Sequence, residues 1–254
     1  MIIVRHGEIF TKSEPVRKEF VRILAGNIRE ALPRASVRAE RWRIFVESEN
    51  ESRDARVLQR VFGVVSVSIA EKVPCDLNSI KKVCLKIIPR KAKSFGVKTQ
   101  RITKEFPLTS QEISAEIGSF IIEKKKLKVD LSNPDFWIRI EVYKNNAFIF
   151  SESLEGPGGL PVGSARGFIE CDYESDEDAL AAWMMLKRGA CVTPDKRLAS
   201  WSYGNSAGIP LARVAGITSI SRFCKAQKES RLPLFAPLIG LSVKEKRFLA
   251  GKVF

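Results

Sequence analysis

Histidine is almost missing from this sequence: of 254 residues, only His6 carries an imidazole. The five cysteines, Cys75, Cys84, Cys171, Cys191 and Cys224, include no C-x-x-C pair. With one imidazole to help them they do not make a zinc site. Scattered and odd in number, they read as buried free thiols in a reducing compartment. Long apolar runs are missing too. Phe148–Phe150 and Val64–Val65 are typical, far short of the roughly 20 residues that cross a bilayer. The opening Met1-Ile2-Ile3-Val4-Arg5 has neither the apolar stretch nor the cleavage site of a signal peptide and reads as a first strand. Internal repeats and low-complexity tracts are also absent. A soluble, cytoplasmic protein with no membrane partner is the default expectation.

What the sequence has in excess is positive charge. Lys and Arg total 43 against 29 acids, a net charge of +14, with a pI near 9.7. A polyanionic partner follows, since each phosphate neutralised by Lys or Arg releases counterions. Charge alone does not separate RNA, DNA and a membrane surface, and a solvated basic face remains an alternative. Hydrophobic content of 44% supports packed cores, and the length allows two or three modules.

The first 70 residues read β-α-β-β-α-β, the order of a ferredoxin-like module. Val16, Phe20, Ile23, Leu24 and Ile28 mark a helix from about Glu14 to Leu32, with Pro15 harmless in its first turn. Strands are expected at Ile2–Val4, Ser36–Ala39, Trp42–Val46 and Val64–Ile69, and a second helix at Ser52–Val61. Residues 71–163 form a second unit: a helix over Leu77–Ile88, a strand over Ser94–Gln100, a helix opened by the Thr109-Ser110-Gln111-Glu112 capping box, and strands near Lys126–Asp130, Trp137–Tyr143 and Ala147–Glu152. Asn145-Asn146 suits the turn between the last two. Gly156 to Gly163, with four Gly and two Pro, reads as a junction. In residues 164–254 strands are expected at Gly167–Asp172, Ala190–Thr193 and Leu234–Ala236. Helices are expected at Asp176–Lys187 and from Ser242, where Ser242 and Glu245 form another capping box. Strand–helix alternation predicts a parallel sheet.

The basic charge is concentrated. From Leu77 to Lys104 there is no acid, and nine cations occur: Lys81, Lys82, Lys86, Arg90, Lys91, Lys93, Lys98, Arg101 and Lys104. Lys82 and Lys86 share a helix face, where like charges cost stability, so a counter-charge supplied in trans is a sensible reading. Together with Ser110 and Gln111 these residues are the candidate RNA-binding set. Phe95 and Phe106 could stack on unpaired bases or serve as core. Lys124-Lys125-Lys126-Lys128 reads first as a helix end that favours cations.

Several motifs together resemble one family. Arg5-His6-Gly7-Glu8 followed by Lys12-Ser13-Glu14-Pro15-Val16-Arg17, Arg60-Val61-Phe62-Gly63-Val64-Val65-Ser66, Pro107-Leu108-Thr109-Ser110-Gln111-Glu112, and Lys128-Val129-Asp130-Leu131-Ser132-Asn133-Pro134-Asp135 resemble segments of the tRNA 4-thiouridine synthetases (tRNA sulfurtransferases). Gly156 to Gly163, Ala181–Gly189 and Pro237–Leu241 are similar to later segments of that family. The resemblance implies an α/β fold with an α+β N-terminal part: a ferredoxin-like module (1–70), a THUMP RNA-binding domain (71–163) and a small, truncated parallel PP-loop-like domain (164–254). It further implies that the THUMP domain holds the tRNA acceptor end. A homodimer and a separate catalytic or sulfur-donor protein are the other partners it admits.

The family's ATP chemistry uses an S-G-G-x-D-S loop, whose backbone N–H groups close around pyrophosphate at a helix N-terminus. The resemblance places that loop on Tyr173-Glu174-Ser175-Asp176-Glu177-Asp178, where both glycines are gone. Six carboxylates fall within nine residues, from Glu170 to Asp178. One carboxylate about 4 Å from a phosphate costs on the order of 1–4 kcal/mol, depending on effective dielectric, so several outweigh a helix-dipole gain of roughly 0.3–2 kcal/mol. Only Mg²⁺ held between carboxylates and phosphate would rescue ATP binding. Gly204-Asn205-Ser206-Ala207-Gly208-Ile209 resembles the family's T-G-x-S-x-G-Q nucleotide segment, with Tyr203 for its Thr and Ile209 for its Gln. The sequence stops soon after Pro237–Leu241, ahead of the family's sulfur-handling cysteine and any rhodanese-like extension, and no cysteine here matches that position. The expectation is a tRNA-binding protein with no catalytic residues, cofactor or metal of its own. The alternatives are a component that presents tRNA to a separate ATP-using sulfurtransferase, and a basic structural protein whose resemblance is a relic.

Overall fold

The protein is described from a computed structural model covering residues 1–253. Strand β1 (Ile2–His6) is followed by helix α1 (Glu14–Ala31), strands β2 (Ser36–Ala39) and β3 (Ile44–Glu47), helix α2 (Glu51–Leu58) and strand β4 (Val64–Ile69). The second module runs β5 (Glu71–Pro74), α3 (Leu77–Ile87), β6 (Ser94–Arg101), α4 (Ser110–Lys125), β7 (Lys128–Val129), β8 (Phe136–Tyr143) and β9 (Asn146–Phe150). A short strand β10 (Leu154–Glu155) precedes the third module: β11 (Phe168–Glu170), α5 (Asp176–Lys187), β12 (Cys191–Val192), β13 (Pro210–Val214), α6 (Ile220–Glu229), β14 (Leu234–Phe235) and α7 (Val243–Val253). Among the described residues no helix is long and apolar enough to cross a membrane.

Three sheets result. The first has the order β10-β4-β1-β3-β2, the ferredoxin-like order with β10 added at one edge. The second, β5-β9-β8-β6-β7, is mixed: β6 is parallel to β7 and β8, and β9 is antiparallel to β8 and β5. The third, β12-β11-β13-β14, is parallel throughout, as strand–helix alternation predicts. Contacts divide the chain into two compact units, residues 1–3, 45–55 and 67–154 in one and residues 4–44, 56–66 and 155–254 in the other.

In the first unit α3 and α4 cover one face of the second sheet. Ile113, Ile117 and Ile121, four residues apart on α4, meet Ile80 and Cys84 of α3 over Phe95, Ile138, Val142 and Ile149. Phe45 packs its ring on Tyr143 and Phe148, with centroids 5.7 and 5.0 Å apart. The expected capping box opens α4: Thr109 Oγ1 accepts from Glu112 N at 3.2 Å and Glu112 Oε2 accepts from Thr109 N at 2.7 Å. Two expectations change. The β8–β9 turn is Lys144-Asn145 rather than Asn145-Asn146, because Tyr143 pairs directly with Asn146; the positive φ falls on Lys144. Strand β5 falls ahead of Leu77, where no element is expected.

In the second unit the core gathers on Phe62, Trp183 and Trp201, whose ring centroids lie 5.3–5.6 Å apart. The Gly/Pro segment is neither helix nor slack linker. Gly156 N and Gly158 N donate to Val65 O and Val64 O, Gly63 N donates to Gly158 O, and Leu160 N and Gly163 N donate to Lys187 O and Gly189 O. Close backbone approach requires glycine at position 159: Gly159 has φ +73°, and a Cβ there would land on the Lys187 carbonyl oxygen. Gly159→Ala is therefore expected to lower unfolding free energy by at least about 2 kcal/mol, from left-handed strain plus the clash; a urea titration checks this, and a midpoint equal to wild type would contradict it.

Candidate nucleic-acid interface

The long acid-free stretch of sequence is not acid-free in space. Lys81 is paired with Glu116 of α4 at 2.5 Å and lies 5.2 Å from the Phe120 ring centre. Lys86 is paired with Glu71 of β5 at 3.2 Å. The counter-charge expected in trans for this helix face thus comes from the chain's own fold, and Lys82 acts on Asp76 at the N-terminus of α3. Arg101 is a positioning residue: its guanidinium donates to the carbonyls of Leu108 and Lys104, at 2.7 and 3.0 Å, and folds the 102–109 loop onto β6. Arg90, Lys91, Lys93, Lys98 and Lys104 remain exposed cations. Phe95 is completely buried and Phe106 packs against the same core, so neither is a stacking platform for bases.

Three members of the candidate set, Lys98, Ser110 and Gln111, line one groove of about 520 Å³ between β6, α4 and β7. Its floor is Phe95, Val97 and Thr99. Strand β7 pairs with β6 only at Ser94 and Phe95, which leaves the rest of that edge facing the groove. One wall is the small-residue side of α4, where Ser114 Oγ lies 2.8 Å from Thr99 Oγ1. Ile122, Val129 and Leu131 form an exposed apolar rim, Leu131 at 68% exposure. Sequence reasoning missed this rim, because the three residues come from α4, β7 and the loop that follows β7. Lys124 and Lys125 occupy the last turn of α4, and Lys126 is its left-handed cap at φ 56°, as expected of a helix end.

The segment Lys128–Asp135 is fastened through its carboxylates. Asp130 accepts from the amides of Ser132 and Asn133 at 2.8 and 2.9 Å. Asp135 accepts from the amides of Lys93 and Ser94 at 2.9 and 3.1 Å. These amide hydrogen bonds, with Lys128 near one and Lys93 near the other, hold both carboxyls below their usual range.

In the third module, residues 173–178 span the end of the β11–α5 loop and the first turn of α5, and Tyr173 is left-handed at φ 52°. Asp178 turns back on the helix start. One of its oxygens accepts from Ser175 N and Oγ at 2.9 and 2.7 Å, and the other accepts from Gly216 N at 2.6 Å. Gly216 sits so close that a Cβ would press on Glu177 and Asp178. Arg197 bonds Asp195 and Asp176 and reaches the carbonyls of Ser175 and Tyr173. Arg213 bridges Glu170 and Asp172. Three of the six carboxylates visible in sequence, Glu170, Asp172 and Asp176, are therefore matched by arginines distant in sequence. Burial, opposed by a backbone hydrogen bond and reinforced by Asp178 and Asp172, pushes the Cys171 thiol up to about 12, so it stays protonated. In the 204–209 segment, Asn205 donates to Val192 O and accepts from Val192 N, both at 2.9 Å.

The fold and groove define a class: a ferredoxin-like module followed by a THUMP domain. Residues 1–68 match the ThiI ferredoxin-like domain and residues 76–152 match the THUMP domain. The chain belongs to the tRNA sulfurtransferase (4-thiouridine synthetase) family. It is 37% identical over 206 residues to a probable tRNA sulfurtransferase of Thermococcus kodakarensis, covering 76% of this chain and 54% of that protein. It is 38% identical over 203 residues to one of Methanocaldococcus jannaschii, covering 74% and 53%. The chain thus spans about half the length of these curated relatives. Among solved structures it is similar to PH1313 of Pyrococcus horikoshii, with TM-score 0.86 and 31% identity over 99% of this chain and 98% of that one. It also shares the fold of a 4-thiouridine synthetase solved with RNA and bound ATP, with TM-score 0.79 and 22% identity over 99% of this chain and 84% of that one.

The depressed carboxyls give a pH signature. A carboxylate whose pKa falls on folding contributes stability that is present above its unfolded value, about 3.9 for Asp, and lost as pH falls through the folded value. The amide NMR signals of Lys93, Ser94, Ser132 and Asn133 are expected to hold steady from pH 7 to about 4 and to move only below that. Movement centred above pH 5 would contradict the assignment of Asp130 and Asp135 as their anchors.

Proposed function

We propose that the chain binds tRNA through its THUMP domain and carries out no ATP-dependent chemistry with its third module. The observation that carries the binding half is the β6–α4 groove, where Lys98, Ser110 and Gln111 converge beside an apolar rim. A cation, hydroxyls and a side-chain amide suit the phosphates, ribose 2′-hydroxyls and base edges of an unpaired strand, which is how single-stranded RNA is read. The exposed cations around it supply the sequence-independent part of the affinity. The relatives' names, probable tRNA sulfurtransferase, agree with a tRNA substrate, as does the RNA held by the 4-thiouridine synthetase of the same fold.

The other half rests on Asp178. In a loop that cradles phosphate, backbone N–H groups point outward to an anion. Here the amides of Ser175 and Gly216 are already bonded to a carboxylate of the same chain. Glu174 and Glu177, outside the arginine pairings, add Coulombic cost, and Asn205 in the second nucleotide-like segment is committed to the backbone of β12. These residues do not fit a nucleotide triphosphate, with or without Mg²⁺, and no step is assigned to ATP.

Filter binding tests the first half. Wild type is expected to prefer tRNA with an unpaired 3′ end over random RNA, with affinity falling steeply in salt. Lys98→Glu is expected to weaken binding by roughly tenfold, the effect of losing a charge-assisted contact and adding a repulsive one. Equal binding to random RNA, or a flat salt response, would overturn the reading. Calorimetric titration with ATP and Mg²⁺ tests the second half: no saturable heat is expected, and micromolar binding would refute it.

A further inference from the structure

The second sheet has two faces, and along β6 only one of them is covered. Ile138, Ile140 and Val142 of β8 point into the core under α3 and α4. The residues between them, Trp137, Arg139 and Glu141, point the other way, as do their ladder partners Gly96, Lys98 and Gln100 on β6. On the β9 side Phe45 packs on Tyr143 and Phe148 and closes this face. On the β6 side Lys98 and Gln100 are exposed, and Trp137 and Arg139 are partly exposed.

Trp137 does not stand off the sheet. A Cβ on its partner Gly96 would lie 2.6 and 2.9 Å from two carbons of the six-membered ring, and 2.9 Å from the Asp130 carbonyl oxygen. The indole therefore lies across the β6 backbone, and the glycine is what admits it. Two residues along, Lys98 stands directly opposite Arg139, a like-charged pair that by itself costs sheet stability. Arg139 donates to the Ser151 carbonyl at 3.3 Å, and its guanidinium carbon lies 5.8 Å from the Trp137 ring centre. Among the described residues no carboxylate pairs with either cation. Asp130 and Asp135 are turned onto backbone amides, and Glu141 is buried at 4% exposure.

From this geometry we infer that Trp137 is a stacking platform for one unpaired base, and that the strand seated in the β6–α4 groove turns around the edge of β6 onto the open sheet face. Lys98 belongs to both surfaces: it lines the groove and faces Arg139 beside the ring. An aromatic ring laid along a sheet offers its π-face to any base, and the two cations meet the phosphates that flank it. An aromatic that only covers a strand glycine has no need of two cations beside it. The inference rests on the groove binding RNA, and it adds the residue that holds a base outside the groove.

The test compares tRNA binding by wild type, Trp137→Phe, Trp137→Ala and Lys98→Glu, with circular dichroism melting to confirm that each variant is folded. Trp137→Ala is expected to bind roughly tenfold or more weakly, the loss of one stacked base. Its slope of log affinity against log salt is expected to stay at the wild-type value, because no phosphate contact is removed. Trp137→Phe keeps a ring and is expected to recover most of the affinity. Tryptophan emission gives an independent reading, since Trp183 and Trp201 are buried at 3% and 7% exposure. Added tRNA is expected to quench wild type, and Trp137→Phe is expected to lose that quenching. If Trp137→Ala does not fold, the emission comparison decides. If Trp137→Ala binds like wild type, or Trp137→Phe is quenched as wild type is, this inference is overturned, and the THUMP reading stands so long as Lys98→Glu binds more weakly. If poly-glutamate quenches the ring and tRNA does not, the face belongs to an acidic polypeptide and the inference fails. If wild type does not bind tRNA, both readings fall.

Discussion

Contact between Phe62, Trp183 and Trp201 is the interaction on which much of this chain depends. The three rings come from the end of the ferredoxin-like module, the middle of α5 and the short helical turn at Lys196–Trp201. Aromatic pairs at these separations add about 0.5–1.5 kcal/mol each beyond their area burial. Their position also dictates the backbone beside them. Gly63 follows Phe62 with φ +95°, and Pro161 lies over it where a Cβ would be crowded. The Gly156–Gly163 segment hydrogen-bonds β4 and the end of α5, and side chains at positions 156 and 159 would strike the Val64 and Lys187 carbonyl oxygens.

Much of the architecture was legible in the sequence, and the reasons differ from element to element. Helices α1 and α4 announce themselves because their apolar residues repeat at helical spacing and their N-termini carry Pro15 or a capping box. Helix α5 is legible from Ser175 and Asp178, which do form the reciprocal cap. Strand β5 was not legible, since Glu71 and Lys72 on a sheet edge have the composition of a linker. Helix α6 carries only a short apolar stripe, Ile220, Phe223 and Cys224, amid basic and polar residues, and none of it is buried. Strand β13 exposes Leu211 and pairs in parallel with partners far away in sequence.

Charge was legible in amount and misleading in arrangement. A run of nine cations without an acid looks like one surface, yet the fold brings Glu71 and Glu116 to two of them and commits Arg101 to a loop. The cations of α1 are interleaved with Glu14 and Glu19, and the fold pairs them accordingly: Glu14 takes Arg17 and Arg41, and Glu19 takes Arg22. The loop at residues 173–178 shows the same limit in reverse. Its carboxylates are plain in the sequence, but their partners, Arg197, Arg213 and the amide of Gly216, lie 21 to 43 residues away in the chain and have no local signal. Tertiary pairing turns a repulsive cluster into a cross-linked one.

Asn205 has a consequence of a different kind. Strand β12 is the outermost strand of the third sheet, and a bare strand margin is a template on which another polypeptide can lay itself down. The amide of Asn205 bonds both the N–H and the C=O of Val192, as an adjacent strand would. A single side chain thus stands in for a neighbour, and the sheet is closed to intermolecular growth on that side without the length of a further strand.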